Sequence, residues 1–154
     1  MIRVPFKIDP DADKREEQKN VSEKSIKGLH ILLAEDNELN MEIAEFVIQN
    51  EGASVTKAWN GQEAVEIFKK SRPDEFDVIL MDIMMPVMNG YGATKMIRSL
   101  EREDAKTIPI IAMTANAFKE DMEMSREAGM NEHLAKPLEA KEIIKTLVKF
   151  VVQD

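Results

Sequence analysis

The chain has 154 residues, enough for one ordinary domain and a tail, and its 44% hydrophobic content suffices to bury a core. Lys and Arg number 21 against 29 Asp and Glu, a formal charge of −8, and aromatics are 5%; both work against a surface that holds nucleic acid. There is no cysteine, so disulfides, thiolate zinc sites and cysteine nucleophiles are excluded, and no apolar run approaches the roughly 18 residues of a membrane helix.

Ile2–Ile8 (IRVPFKI) reads as a strand fragment, too short and too mixed for a secretory signal. Asp9–Lys27 is dominated by charge, and its apolar members Ala12, Val21 and Ile26 have no period, so residues 9–28 read as a flexible linker. From Leu29 to Val152 short apolar runs alternate with helical stretches, the pattern of βαβ units in one domain. Strands are predicted at residues 30–34, 53–58, 78–81, 110–113 and 132–135. Between them, Leu39, Ile43, Phe46 and Val47 predict one buried helix face and Ala93, Met96, Ile97 and Leu100 another. Ala140, Ile143, Ile144, Leu147 and Val151 predict the last. Asn60-Gly61 and Asn89-Gly90 stand where a loop should hand over to a helix.

The runs ILLA, VILM and IIAM are almost wholly apolar, as strands covered on both faces must be, whereas ASVTKA and EHLA carry polar residues that suit edges. A doubly wound, five-stranded parallel α/β sheet of order 2-1-3-4-5, a flavodoxin-like three-layer sandwich, satisfies this, although other orders with the same edges would too.

In such a sheet ligands bind beyond the carboxyl ends of the strands, where the strand order reverses. Glu35, Asp36, Asp82, Thr114 and Lys136 all fall at those ends. Three converging carboxylates repel one another unless a cation intervenes, and Mg²⁺ is the natural oxygen-ligated choice, with Mn²⁺ the alternative ion. Asp36 or Asn37 can also be read simply as the cap of the following helix. With a metal, Lys136 and Thr114 would make a clamp for a tetrahedral phosphoryl dianion, and Asp82, flanked by both, is the best nucleophile. No GxGxxG or GxxxxGK[ST] is present, so a nucleotide-binding enzyme on this fold is disfavoured. Met81, Met84, Met85 and Met88 form a run that could suggest soft-metal binding, a disfavoured reading, while Met113, Met122, Met124 and Met130 are better explained as core and helix-face filling.

ILLAEDNELN, DVILMDIMMPVMNGYGAT, IPIIAMTANAF and AGMNEHLAKPL, in this order and spacing, resemble the response-regulator receiver domain. The likeness is greatest to the C-terminal receiver of a bacterial hybrid sensor histidine kinase. The resemblance implies that Asp82 accepts the phosphoryl group in a Mg²⁺-dependent reaction. It implies that Asp36 ligates the metal directly, Glu35 through water and Met84 through its backbone carbonyl. Thr114 and Lys136 would contact the phosphoryl group, the Lys136-Pro137 bond would be cis, and the small Ala115 would leave a path to Asp82. His133 stands where a switch aromatic is frequent, so Thr114 and His133 form the implied switch pair, with a plain edge-strand histidine as the alternative. Met84 and Asn116 occupy positions that tune dephosphorylation in the family.

The implied partners are a histidine kinase phosphohistidine domain, a histidine phosphotransfer protein, or both, with no nucleic acid and no membrane contact by this chain. VPFKID also resembles the last strand of a kinase ATP-binding domain. Residues 1–8 are therefore expected to be the tail of such a domain in a hybrid kinase, working in the cytoplasm and itself open to membrane anchoring. The competing expectations are an interaction module that has lost the chemistry and an aspartyl-intermediate phosphatase. The phosphatase would need a second acid where Met84 stands.

Overall fold

A computed structural model describes residues 25–115 and 119–150, of which 119–121 are described in backbone only. The expected strand fragment before Asp9, most of the charged linker, Asn116 and Val151 lie outside the described residues. The elements run β1 (His30–Ala34), α1 (Glu38–Asn50), β2 (Ser54–Ala58), α2 (Gly61–Lys70), β3 (Val78–Asp82) and α3 (Gly90–Arg98). They continue with α4 (Glu103–Thr107), β4 (Ile110–Thr114), α5 (Lys119–Ala128), β5 (Glu132–Ala135) and α6 (Ala140–Val148). All strand pairs are parallel and the order is β2-β1-β3-β4-β5, as expected.

Alternation along the strands divides the core in two. Leu32, Ile79, Met81, Ile110 and Ala112 face Ala64, Val65 and Phe68 of α2 and Ala93 and Ile97 of α3. Ile31, Leu33, Val78, Leu80, Ile111 and Met113 face Met41, Ala44 and Ile48 of α1 and Ile143 and Leu147 of α6. Apart from His30 at the start of β1, the exposed strand residues lie on the two edge strands, and β3 and β4 are buried throughout.

Three expectations need correction. The buried stripe of α1 is Met41, Ala44 and Ile48; Ile43 and Val47 are only partly covered, and Leu39 and Phe46 are 64% and 70% exposed. Two apolar stripes share this helix, and the one with small Ala44 at its centre permits close approach to the sheet, which Phe46 would prevent. Met96 is likewise 45% exposed while Ala93 and Ile97 of α3 are buried, and Ala140 is exposed at the start of α6. Ile26, read as part of the linker, is fully buried in the core between the sheet, α1 and α6.

The end of α2 is closed by a residue far from it in sequence. Arg102 donates to the carbonyls of Phe68, Ser71 and Arg72 at 2.9–3.1 Å, and its guanidinium lies 4.6 Å from the centre of the Phe68 ring. A cation at the negative end of a helix is favourable, and here it satisfies carbonyls that have no partner within the helix. Asp104 holds Arg102 through two bonds of 2.8 Å and accepts a third from the Asp74 N–H at 2.9 Å. The bonds from Arg102 hold the Asp104 carboxyl down at about 2, against 3.8 for the free group. A depressed carboxyl stabilises the fold above the unfolded value and loses that contribution as pH falls through the folded one. Asp104→Asn should therefore lower Tm at neutral pH and flatten the fall of Tm between pH 4 and pH 2, checked by thermal melts across that range.

Candidate functional site

The parallel order brings the ends of β1, β3, β4 and β5 to one edge. Glu35 directly follows β1, is fully buried, and donates its N–H to the Ala58 carbonyl at 3.1 Å. Asp82 ends β3 at 2% exposure and Thr114 ends β4 at 6%. Lys136 follows β5, its N–H bonded to the Thr114 carbonyl at 2.8 Å. The Lys136 amine lies 3.1 Å from Asp82 Oδ1 and 3.2 Å from Glu35 Oε1, although Lys136 and Glu35 are 101 positions apart. Carboxylate oxygens of Glu35, Asp36 and Asp82 lie within 4.8 Å of one another. The Lys136-Pro137 bond is cis and Ala115 is exposed.

The capping reading of the acidic pair is settled by geometry. Asn37, not Asp36, caps α1, its side-chain oxygen accepting from the Asn40 N–H at 2.9 Å. The Asn37 N–H in turn donates to Glu35 Oε2 at 3.0 Å and fixes that carboxylate. Asp36 stays exposed beside the pocket, available to a ligand.

Burial first, and then the neighbouring Glu35, push the Asp82 carboxyl up to about 7; Lys136 offsets only part of this. Burial pulls the Lys136 amine down, but Asp82 and Glu35 outweigh it and hold it above its ordinary value. Asp82 Oδ2 is buried with no hydrogen-bond partner, and the buried Glu35 Oε1 accepts no hydrogen bond but meets the Lys136 amine as an ion pair at 3.2 Å. Buried acceptors are nearly always satisfied, and a hard divalent cation satisfies such oxygens and removes the repulsion that raises Asp82. The donor set thus fits Mg²⁺. Met84 is 74% exposed.

His133 stands apart from this cluster, opposite Ala112 in the sheet register. It borders a cavity of about 400 Å³ shared with Lys136, Pro137, Glu139 and Glu142. Burial lowers its pKa, and its Nε2 is buried without a partner. The sequence reading passed over how closely Gly90 backs Asp82, where a Cβ would stand 2.9 Å from the Ile83 Cα. The Asn89-Gly90 pair signalled only a helix start.

Residues 31–148 match the model of the response regulator receiver domain. The chain belongs to the response regulator receiver family. It is 44% identical over 122 residues to hybrid signal transduction histidine kinase M of Dictyostelium discoideum, covering 79% of this chain and 5% of that protein. The receiver domain of a Pseudomonas aeruginosa sensor histidine kinase, solved with magnesium coordinated in its active-site cleft, superposes with a TM-score of 0.72. That pair is 41% identical and covers 80% of this chain and 97% of the other. A yeast response-regulator receiver, co-crystallised with a histidine phosphotransfer protein, has a TM-score of 0.72, 30% identity and coverage of 80% and 89%.

Curated relatives include plant, Dictyostelium and fungal histidine kinases, of whose length this receiver spans between 5% and 13%. They tie it to hybrid kinases and two-component phosphorelays. Being eukaryotic, they do not point to the bacterial source that the sequence reading expects. No helix among the described residues is long and apolar enough to cross a membrane.

A carboxyl raised in the fold weakens the fold as it ionises, so without metal the penalty from Asp82 grows as pH rises from 3.8 through about 7. Added Mg²⁺ should therefore raise Tm more at pH 8 than at pH 5. Asp82→Asn should raise the metal-free Tm at pH 8 and remove most of the response to Mg²⁺; calorimetry at the two pH values checks both.

Proposed function

We propose that this receiver accepts a phosphoryl group from a phosphohistidine onto Asp82 and passes the signal to a partner protein by a change of conformation. The observation that carries the reading is the buried Glu35–Asp82 carboxylate pair, which shares one lysine amine and leaves Asp82 Oδ2 with no hydrogen-bond partner. Bound Mg²⁺, held by the Glu35, Asp36 and Asp82 carboxylates and the Met84 backbone carbonyl, would neutralise phosphoryl charge as a Lewis acid. Mn²⁺ would serve in the same oxygen set.

The chain's own groups do the rest. An Asp82 oxygen attacks phosphorus in line, the O–P bond forms as the P–N bond to the donor imidazole breaks, and the imidazole leaves with the electron pair and takes a proton. The Lys136 amine turns from the carboxylates to the phosphoryl oxygens, and the Thr114 hydroxyl donates to the same group. Thr114 and His133 would then be the switch pair, His133 moving in the cavity that its ring borders.

The docking face would be the exposed stripe of α1. Leu39 and Phe46 are 64% and 70% exposed, Ile43 lies between them, and the helix begins just after Asp36. A phosphohistidine-bearing helical protein, from a kinase or a separate phosphotransfer protein, fits such a stripe. The parent would be a hybrid histidine kinase, as several of the relatives are. Residues 1–8 would then close its ATP-binding domain and the charged stretch from Asp9 to Lys24 form the linker, all on the cytoplasmic side.

Incubation with Mg²⁺ and acetyl phosphate should give a hydroxylamine-sensitive adduct that Asp82→Asn abolishes; an adduct that survives this substitution sinks the assignment. Phe46→Glu should slow transfer from a phosphohistidine protein by roughly tenfold or more, as loss of a central apolar anchor does. The rate with acetyl phosphate, which needs no docking face, should not change.

A further inference from the structure

The loop from Asp82 to Gly90 carries both the acceptor carboxylate and the Met84 carbonyl, and besides the buried Ile83 and Met85 it is held by backbone hydrogen bonds. The Ile83 N–H bonds to the Met113 carbonyl at 3.1 Å, and the Gly90 N–H closes the loop on the Ile83 carbonyl at 2.9 Å. The third comes from another element: the Gly61 N–H donates to the Met88 carbonyl at 3.0 Å. Gly61 opens α2, so this N–H is one of the donors that a helix cannot satisfy internally.

The helix end that supplies it is itself fastened. Asn60 accepts from the Glu63 N–H at 2.8 Å, and Glu63 accepts from the Trp59 N–H at 2.8 Å. Contact here is close enough to demand glycine. A Cβ on Gly61 would overlap the Met88 carbonyl oxygen and stand 2.8 Å from its carbon and 3.0 Å from the Asn89 oxygen. Across the contact the loop is under strain. Val87, a β-branched residue, has φ 68, and the Met88 N–H folds back on the Pro86 carbonyl at 2.7 Å. A left-handed valine persists only where surrounding contacts oppose its relaxation.

We infer that Gly61 is a positioning residue for the phospho-acceptor loop: its N–H and its missing Cβ together set where the Met84–Asn89 segment stands relative to Asp82. The inference rests on the metal reading given above. It assigns to the turn between β2 and α2, which contributes no ligand, a share in the shape of the metal site.

Gly61→Ala should weaken Mg²⁺ binding by roughly tenfold in calorimetric titration of the whole chain, the usual cost of disturbing an outer-shell contact. Gly28→Ala is the control: Gly28 has φ +87 and nothing within 4 Å of a Cβ, and it precedes β1 at the opposite end of the sheet. It should lower Tm and leave Mg²⁺ affinity unchanged. In the wild type, Mg²⁺ should slow hydrogen exchange of the Gly61 amide and not of the Gly28 amide, a readout that stands even where the alanine variant does not fold. Wild-type Mg²⁺ affinity in Gly61→Ala, equal weakening in Gly28→Ala, or a Gly61 amide indifferent to Mg²⁺ each overturns the inference. A wild-type chain that takes no Mg²⁺ overturns the functional reading beneath it as well.

Discussion

Crowded carboxylate charge at the carboxyl edge of the sheet is the constraint to which the surrounding architecture answers. Glu35 and Asp82 are both buried, a single amine stands within 3.2 Å of each, and Asp36 adds a third acid at the rim. Like charges a few ångströms apart in a medium of low effective dielectric cost several times what they cost in water, at about 4 kcal/mol for an effective dielectric near 20. Lys136 cannot neutralise three carboxylates, and burial first, with the Glu35 charge second, raises Asp82 to about 7 against what Lys136 offsets. A divalent cation would relieve the repulsion in such a site.

The deficit is tolerable because the strands that carry it are the best-anchored part of the molecule. Every residue of β3 and β4 is buried, as are the last four residues of β1. Full burial of a Leu, Ile or Val side chain contributes about 1.5–3 kcal/mol, so these three strands together outweigh one repelling pair. The edge strands, with one buried residue each, contribute far less. The order β2-β1-β3-β4-β5 therefore has two consequences: it opens the crevice between β1 and β3, and it places the acids on strands that bear their repulsion without fraying.

Those same features were the legible ones. Near-continuous apolar runs reveal central strands whatever their neighbours, and residues that end such strands must meet at one edge once the order is known; Glu35, Asp82, Thr114 and Lys136 followed from that alone. Legibility failed where the answer depends on how closely two surfaces approach. Periodicity admits both stripes of α1, and only the packing distance to the sheet selects the one centred on Ala44. Nothing local decides between Asp36 and Asn37 as the cap, since both have the chemistry; the backbone path into α1 selects Asn37. Ile26 looked like linker because its partners, Ile48 and Ala53 among them, lie in later elements. The contact of Gly61 with Met88 joins two loops that have no sequence relation, so the Asn60-Gly61 pair could signal a helix start and nothing more.

The misread stripe is informative because it was misread. Residues that satisfy a core period yet stay in solvent are the ones a folded chain has least reason to keep apolar, unless another surface covers them. On α1 the stripe begins with Leu39, three positions after Asp36, so a body seated on Leu39, Ile43 and Phe46 also shades the mouth of the acid pocket. On the proposed reading this shading has a chemical effect. Excluding water from the mouth lowers the local dielectric and strengthens the attraction of Lys136 and a bound cation for an incoming phosphoryl group. The same exclusion keeps hydrolytic water from the transferring group. Docking and chemistry would then be coupled through solvent, with Phe46 acting on Asp82 without touching it.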